Sequence, residues 1–187
     1  MKGKAFKWTA RIIAVLILTI STTALAENRT HKTFSGVINA YTSQTTTTGP
    51  YEVRGPWSLT LKRDGWKADF SAALNMELSD GWVLTKNMGN FDPNGRGAHT
   101  HHITLVDADV TWTATGFQVT GPATITLNGN AAPVSPSIVV IEVTGGSDVE
   151  FSNITLTFQP PGSNHFGTEP LPGVVRRVTE RRVEERR

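Results

Sequence analysis

Apolar and polar residues alternate along most of this 187-residue chain. Over residues 67–78, Ala68, Phe70, Ala72, Leu74, Met76 and Leu78 fall on one face, and Lys67, Asp69, Ser71, Asn75 and Glu77 on the other. A period of two sustained this long predicts a strand with one buried face. Trp57, Leu59 and Leu61 alternate with Ser58, Thr60 and Lys62 in the same way. Asp64-Gly65 and Asp80-Gly81 punctuate these runs, and each is followed by a tryptophan, Trp66 and Trp82. Asp-Gly suits the hairpin turns whose central residues need positive φ. The pattern predicts a three-strand meander over residues 57–62, 66–78 and 82–86.

Further strands are predicted at 33–41, 51–54, 99–106, 110–113, 117–120, 123–127, 137–143 and 149–158. Loops fall at 42–50, 87–97, 128–136 and 159–173, and Asp107 and Asp109 lie in a segment, 106–110, that reads as a hairpin turn. Nothing between residues 30 and 170 keeps a helical period over three turns. The fold class is therefore all-β, a single antiparallel β-barrel or β-sandwich of about eight to ten strands. The pattern does not choose between barrel and sandwich.

The two ends of the chain differ from this body. Lys2, Lys4, Lys7 and Arg11 precede the apolar run 12–20, and a small-residue stretch ends in Ala24-Leu25-Ala26. A positive region, a short apolar core and an A-x-A site predict a cleaved secretory signal peptide over residues 1–26. A spanning helix would need roughly 20 apolar residues, so no transmembrane segment is expected after cleavage. Residues 27–32 are expected to be a flexible mature N-terminus, 33–173 the β domain with a Pro/Gly-rich loop as its last stretch, and 174–187 a charged tail. The tail, VVRRVTERRVEERR, carries Arg176/Glu180 and Arg181/Glu185 at helical spacing and has the composition of a short, solvated helix.

Cleavage changes the charge argument. The whole chain is +2 by formal charge, but removing the four leader cations leaves 14 basic against 16 acidic residues, or −2. Residues 27–173 alone are acidic, and only the tail is basic. A nucleic-acid partner is not expected from such a distribution. The cysteine count is zero, so the domain must be held by its core without disulfides. Together these features point to an exported protein of a bacterial periplasm or extracellular space. They leave its oligomeric state open.

The segment His99-Thr100-His101-His102 is the constellation that carries chemistry. On a strand, His99 and His101 share a face, with Cα atoms roughly 6.6 Å apart, and two imidazoles so placed can converge on one cation. A divalent transition metal such as zinc would want a third ligand. His165, in the Pro/Gly-rich loop, is the best candidate by residue type; Asp92, Asp107 and Asp109 are weaker ones. His31 lies beside the cleavage site. The His-x-His pair resembles part of the cupin pattern, but residues 103–106 supply no glutamate where that family needs one, so no cupin site is carried over.

Other chemistries find less support. There is no G-x-S-x-G elbow, phosphate loop or dinucleotide fingerprint. Trp57 and Trp112 are candidates to line a small-ligand pocket beside His99 and His101. Gly55-Pro56-Trp57 resembles the Gly-x-Trp start of lipocalins, barrels that hold apolar ligands, though no later motif accompanies it. The leading expectation is an exported protein binding a small molecule or a metal through its His-x-His strand. The alternatives are a small-barrel enzyme, either a cyclase or isomerase or a metal-dependent hydrolase, and a structural or surface-interaction protein.

Overall fold

The computed structural model describes residues 29–43, 50–62, 65–78, 98–145 and 152–183. The leader, the Asp80-Gly81 turn, the strand expected at 82–86, Asp92 and residues 184–187 lie outside these. Among the described residues, nine strands and one short helix follow in order: β1 (Arg29–Tyr41), β2 (Tyr51–Lys62), β3 (Lys67–Leu78), β4 (His99–Thr113), β5 (Gly116–Leu127), β6 (Asn130–Ala131), β7 (Ser137–Thr144), β8 (Asn153–Phe158), α1 (Ser163–Phe166) and β9 (Leu171–Val183). No helix among the described residues is long and apolar enough to cross a membrane.

The chain closes on itself. Neighbouring strands run β4-β3-β2-β1-β9-β8-β7-β5, and β5 pairs back to β4, so eight antiparallel strands form a barrel with β6 attached to β5. Closure answers the question that alternation left open. It also covers strand edges that a sandwich would expose. Strict alternation places one set of side chains inside: Leu59, Leu61, Phe70, Ala72, Leu74, Met76, Ile103 and Leu105 are all buried. Phe34 and Phe117 meet across the interior with ring centroids 5.2 Å apart, and Trp57 stacks on Phe70 at 6.4 Å. The barrel is a packed core rather than an open cup.

Several strands are longer than the pattern predicts. β2 runs through Gly55-Pro56 without a break, because Pro56 lies opposite Val37 of β1 and the backbone of β3 closes on Gly55. β5 likewise passes through Gly121-Pro122. The hairpin turn expected at 106–110 is a β-bulge inside β4: the pairing shifts between Ala68/Phe70 and Leu105/Ala108, and Asp107 takes φ 53°. Asp69 supports it, accepting the Asp107 N–H at 2.9 Å while its carboxylate lies 2.7 Å from Lys62 Nζ. Asp107 tolerates this left-handed backbone as few other side chains do, and the bulge bends β4 around the barrel.

Both chain-end expectations change most. Residues 29–32 are strand, paired with residues 180–183, rather than a flexible N-terminus. Residues 174–183 are neither tail nor helix; they form most of β9, which joins β1 to β8. The reason is local and global together. Val174, Val175, Val178 and Thr179 are β-branched and favour extended backbone, and β1 presents an edge on which Val178 registers opposite the core residue Phe34. The i,i+4 charge pairs are worth only about 0.2–0.5 kcal/mol each, too little to hold a helix against that pairing.

Gly36 marks the irregularity where β1 meets β9. A Cβ there would overlap the Val174 carbonyl and press within 3.1 Å of the Trp57 ring. Gly36→Ala is therefore expected to destabilise the barrel by about 1–3 kcal/mol, the usual cost of overpacking. Thermal unfolding of the variant beside the parent chain checks it; an unchanged midpoint would show that the β1–β9 seam yields freely.

Candidate functional site

β4 enters the barrel at its histidine end. Its alternation continues the core face backward from Ile103, so His101 and His99 point inward while Thr100 and His102 point out. His99 is 5% exposed and His101 2%. His102, on the outer face, is exposed.

His165 arrives from the connection between β8 and β9. The Pro-rich turn after Phe158 leads into α1, whose single turn is closed by the Phe166 N–H bonding to the Gly162 carbonyl at 3.0 Å. Phe166 anchors the turn: it is fully buried, stacks on Phe158 with centroids 4.1 Å apart and packs edge-on against His101 at 5.0 Å. That contact holds His165, half-buried, over the inward histidines of β4. Tyr51, at the start of β2, completes the wall, with its ring 5.3 Å from that of His99 and 5.5 Å from that of His165.

The three imidazoles meet through their Nε2 atoms. His165 Nε2 lies 3.1 Å from His99 Nε2 and 3.0 Å from His101 Nε2, and one nitrogen from each ring falls within 4.8 Å of the others. His101 Nδ1 is 2.7 Å from the Thr126 carbonyl. A carbonyl can only accept, so Nδ1 carries the proton and His101 Nε2 carries a lone pair. His165 has one hydrogen at most to place at Nε2, and it cannot serve both neighbours. In a neutral cluster, at least one of the two contacts lacks a bridging proton. A cation at the centre resolves the conflict for all three nitrogens. For Zn–N bonds of about 2.0–2.1 Å the edge of a tetrahedron is about 3.4 Å, near the two distances seen.

The electrostatics favour the same state. Burial, helped by the neighbouring His165 and His99, pushes the pKa of His101 down to about 3, against the opposing bond to Thr126. Burial and His99 push that of His165 down to about 4. Neutral imidazole is the form a metal needs, and the Nδ1–H to carbonyl bond of His101 is the usual outer-shell support of a ligating histidine.

No protein-family model matches the chain, and no curated protein or solved structure matches it either. The site therefore rests on its own geometry. The structure brings His99, His101 and His165 together and, among the described residues, leaves the other candidates elsewhere. Trp57 is 3% exposed and stacked in the core on Phe70. Trp112 sits at the opposite end of β4, 45% exposed, its indole N–H bonding to the Gly65 carbonyl at 3.2 Å. Asp107 and Asp109 belong to the bulge and to an ion pair with Lys67 at 2.6 Å. His31 lies in β1 opposite Arg181. A surface hollow of about 600 Å³ beside the β5–β6 turn is bounded by Leu127, Asn128, Asn130, Ala131 and Pro133, without any of the three histidines.

Sequence reasoning missed Tyr51 and Phe166. The signal for Tyr51 was its place at the head of an alternating run with Val53. Phe166 is a large apolar residue isolated in a polar loop, which marks a docking anchor. Phe166→Ala is expected to cost about 3–5 kcal/mol as a buried aromatic truncation and to free α1. The checks are unfolding by denaturant and the His165 imidazole NMR resonances, which should move toward those of an exposed histidine; unchanged resonances would show that Phe166 does not position His165.

Proposed function

We propose that the protein is an exported metal-binding β-barrel that holds one divalent transition metal of the zinc type through Nε2 of His99, His101 and His165. The observation that carries this reading is the convergence of three Nε2 atoms, two contacts at 3.0–3.1 Å, with the His101 tautomer fixed by Thr126. Export rests on the leader pattern of residues 1–26. The metal is favoured over an organic ligand because the barrel interior is filled by Phe34, Trp57, Phe70 and Phe117. For the same reason a cyclase or isomerase working in an enclosed cavity is disfavoured.

Purified protein stripped with chelator and dialysed against zinc should hold one equivalent by elemental analysis. Less than about a tenth of an equivalent, with no heat signal on zinc titration, would overturn the assignment. A second reading is a metal-dependent hydrolase. It is favoured by the half-exposure of His165, which opens one side of a three-histidine set to a fourth, solvent-derived ligand. Turnover of activated esters by the zinc-loaded protein, absent from the stripped protein, separates the enzyme from the binding protein.

A further inference from the structure

β3 brings a sulfur atom to the histidine end of the barrel. Its inward face reads Ala68, Phe70, Ala72, Leu74 and Met76, and all five are buried. The register with β4 sets Leu74 opposite His101 and Met76 opposite His99. Side chains paired across a ladder have Cβ atoms about 4.5–5.5 Å apart. Met76 and His99 both point into the barrel, at 0% and 5% exposure. The methionine side chain is unbranched and freely rotatable, so its thioether can reach the point on which the imidazoles converge. A core methionine often does no more than fill a gap. This one interrupts an aliphatic and aromatic face at the position that adjoins a candidate metal ligand, and it is the only methionine among the described residues.

Two properties of such a donor set point to one ion. Thioether sulfur is a soft donor, and soft donors select copper(I) over zinc. The set also carries no charge. His101 holds its proton on Nδ1 and offers a neutral Nε2, and the converging group is three histidines, with no carboxylate in it among the described residues. The Born cost of burying an ion rises with the square of its charge. A neutral, buried set therefore penalises a divalent ion about four times as heavily as a monovalent one of equal size.

We infer that Met76 is a fourth ligand, and that the site it completes holds copper(I) in preference to zinc. The inference rests on the three-histidine reading above and narrows its metal. Three imidazoles alone can hold either ion; the thioether separates the two.

The test uses the purified chain, stripped of metal with chelator and kept free of oxygen. Copper(I) is titrated in competition with bicinchoninate, and zinc in competition with a chromophoric zinc chelator. Copper(I) is expected to bind at least about 100-fold tighter than zinc. Met76→Leu, similar in volume, should lose at least about tenfold in copper(I) affinity while its zinc affinity stays within about threefold. A packing role alone would move both ions together or neither. X-ray absorption at the copper edge should show a sulfur neighbour that Met76→Leu lacks; the chain has no cysteine, so that sulfur belongs to a methionine. Met88→Leu should keep it, and makes the same assignment if Met76→Leu does not fold. A copper site without sulfur, or equal losses of both ions in Met76→Leu, would overturn the role of Met76 and leave the three-histidine site standing. Zinc bound more tightly than copper(I) would overturn the preference. Binding of neither ion to the parent chain would overturn the three-histidine reading and this inference with it.

Discussion

His101→Ala is expected to lower zinc affinity by at least about 100-fold, because even an outer-shell partner of a ligating histidine is worth about 10–100-fold. His101 is the most deeply buried of the three rings and the one whose tautomer is fixed by the Thr126 carbonyl. Its removal leaves His99 and His165 with two donors and a void between them. The companion effect is on stability. Zinc at about 1,000 times its dissociation constant stabilises the folded state by about 4 kcal/mol, which for a domain of this size raises the unfolding midpoint by roughly 8–16 °C. The parent chain should show that rise in a thermal scan and His101→Ala should not. His102→Ala, on the outer face of the same strand, is the control and should bind zinc as the parent does. Equal zinc-induced shifts in parent and His101→Ala would place the ion elsewhere.

Much of this arrangement was legible from the chain. Alternation over 67–78 and 57–62 reports directly on which side chains face the core, so the inward direction of His99 and His101 followed from their phase with Ile103 and Leu105. His165 could be named as third ligand by type alone. What brought it to the others was the burial of Phe166 against Phe158 and His101, a contact between residues distant in sequence that no local pattern encodes. Barrel closure was hidden for a similar reason. The closing strand, β9, is written in arginine, glutamate and valine, a composition whose local charge spacing suits a helix. Its extended form depends on the edge that β1 offers. The segment at 106–110 was misread because two aspartates look alike in a turn and in a bulge; the Asp69 carboxylate and Lys62, across the ladder, decide between them.

The two ends of the barrel have different chemistry. At one end lie the inward histidines, walled by Tyr51 and Phe166. At the other lie ion pairs such as Lys62–Asp69 and Lys67–Asp109, and the arginine-bearing half of β9. β4 links them, carrying His99 at its first residue and Trp112 near its last. The separation explains why Trp57 and Trp112 do not join the histidines: Trp57 fills the middle of the core and Trp112 covers the far end. A packed interior between the two ends also keeps the histidine cluster rigid, which favours a metal that demands fixed donor positions over a ligand that needs space.

The metal-free protein is expected to lose stability on mild acidification, and the sign follows from the two shifted histidines. In the unfolded chain a histidine titrates near 6.5. In the folded protein burial holds His101 down to about 3 and His165 down to about 4. Below pH 6.5 the unfolded state therefore binds protons that the folded state refuses, and stability falls as pH falls. Each histidine contributes up to about 1.4 kcal/mol per pH unit in this window, so the pair should cost about 2 kcal/mol between pH 6 and pH 5. The loss flattens as pH passes the folded values, first for His165 and then for His101. Urea unfolding in chelator at half-unit steps from pH 7 to pH 4.5 measures the slope. His101→Gln/His165→Gln should flatten it between pH 6.5 and pH 5, above the range where carboxylates such as Asp69, itself held low by Lys62 against its own desolvation, contribute. A parent chain whose stability is level across that interval would show that both rings take up protons in the folded state, and that their imidazoles are not packed as a neutral, metal-ready cluster.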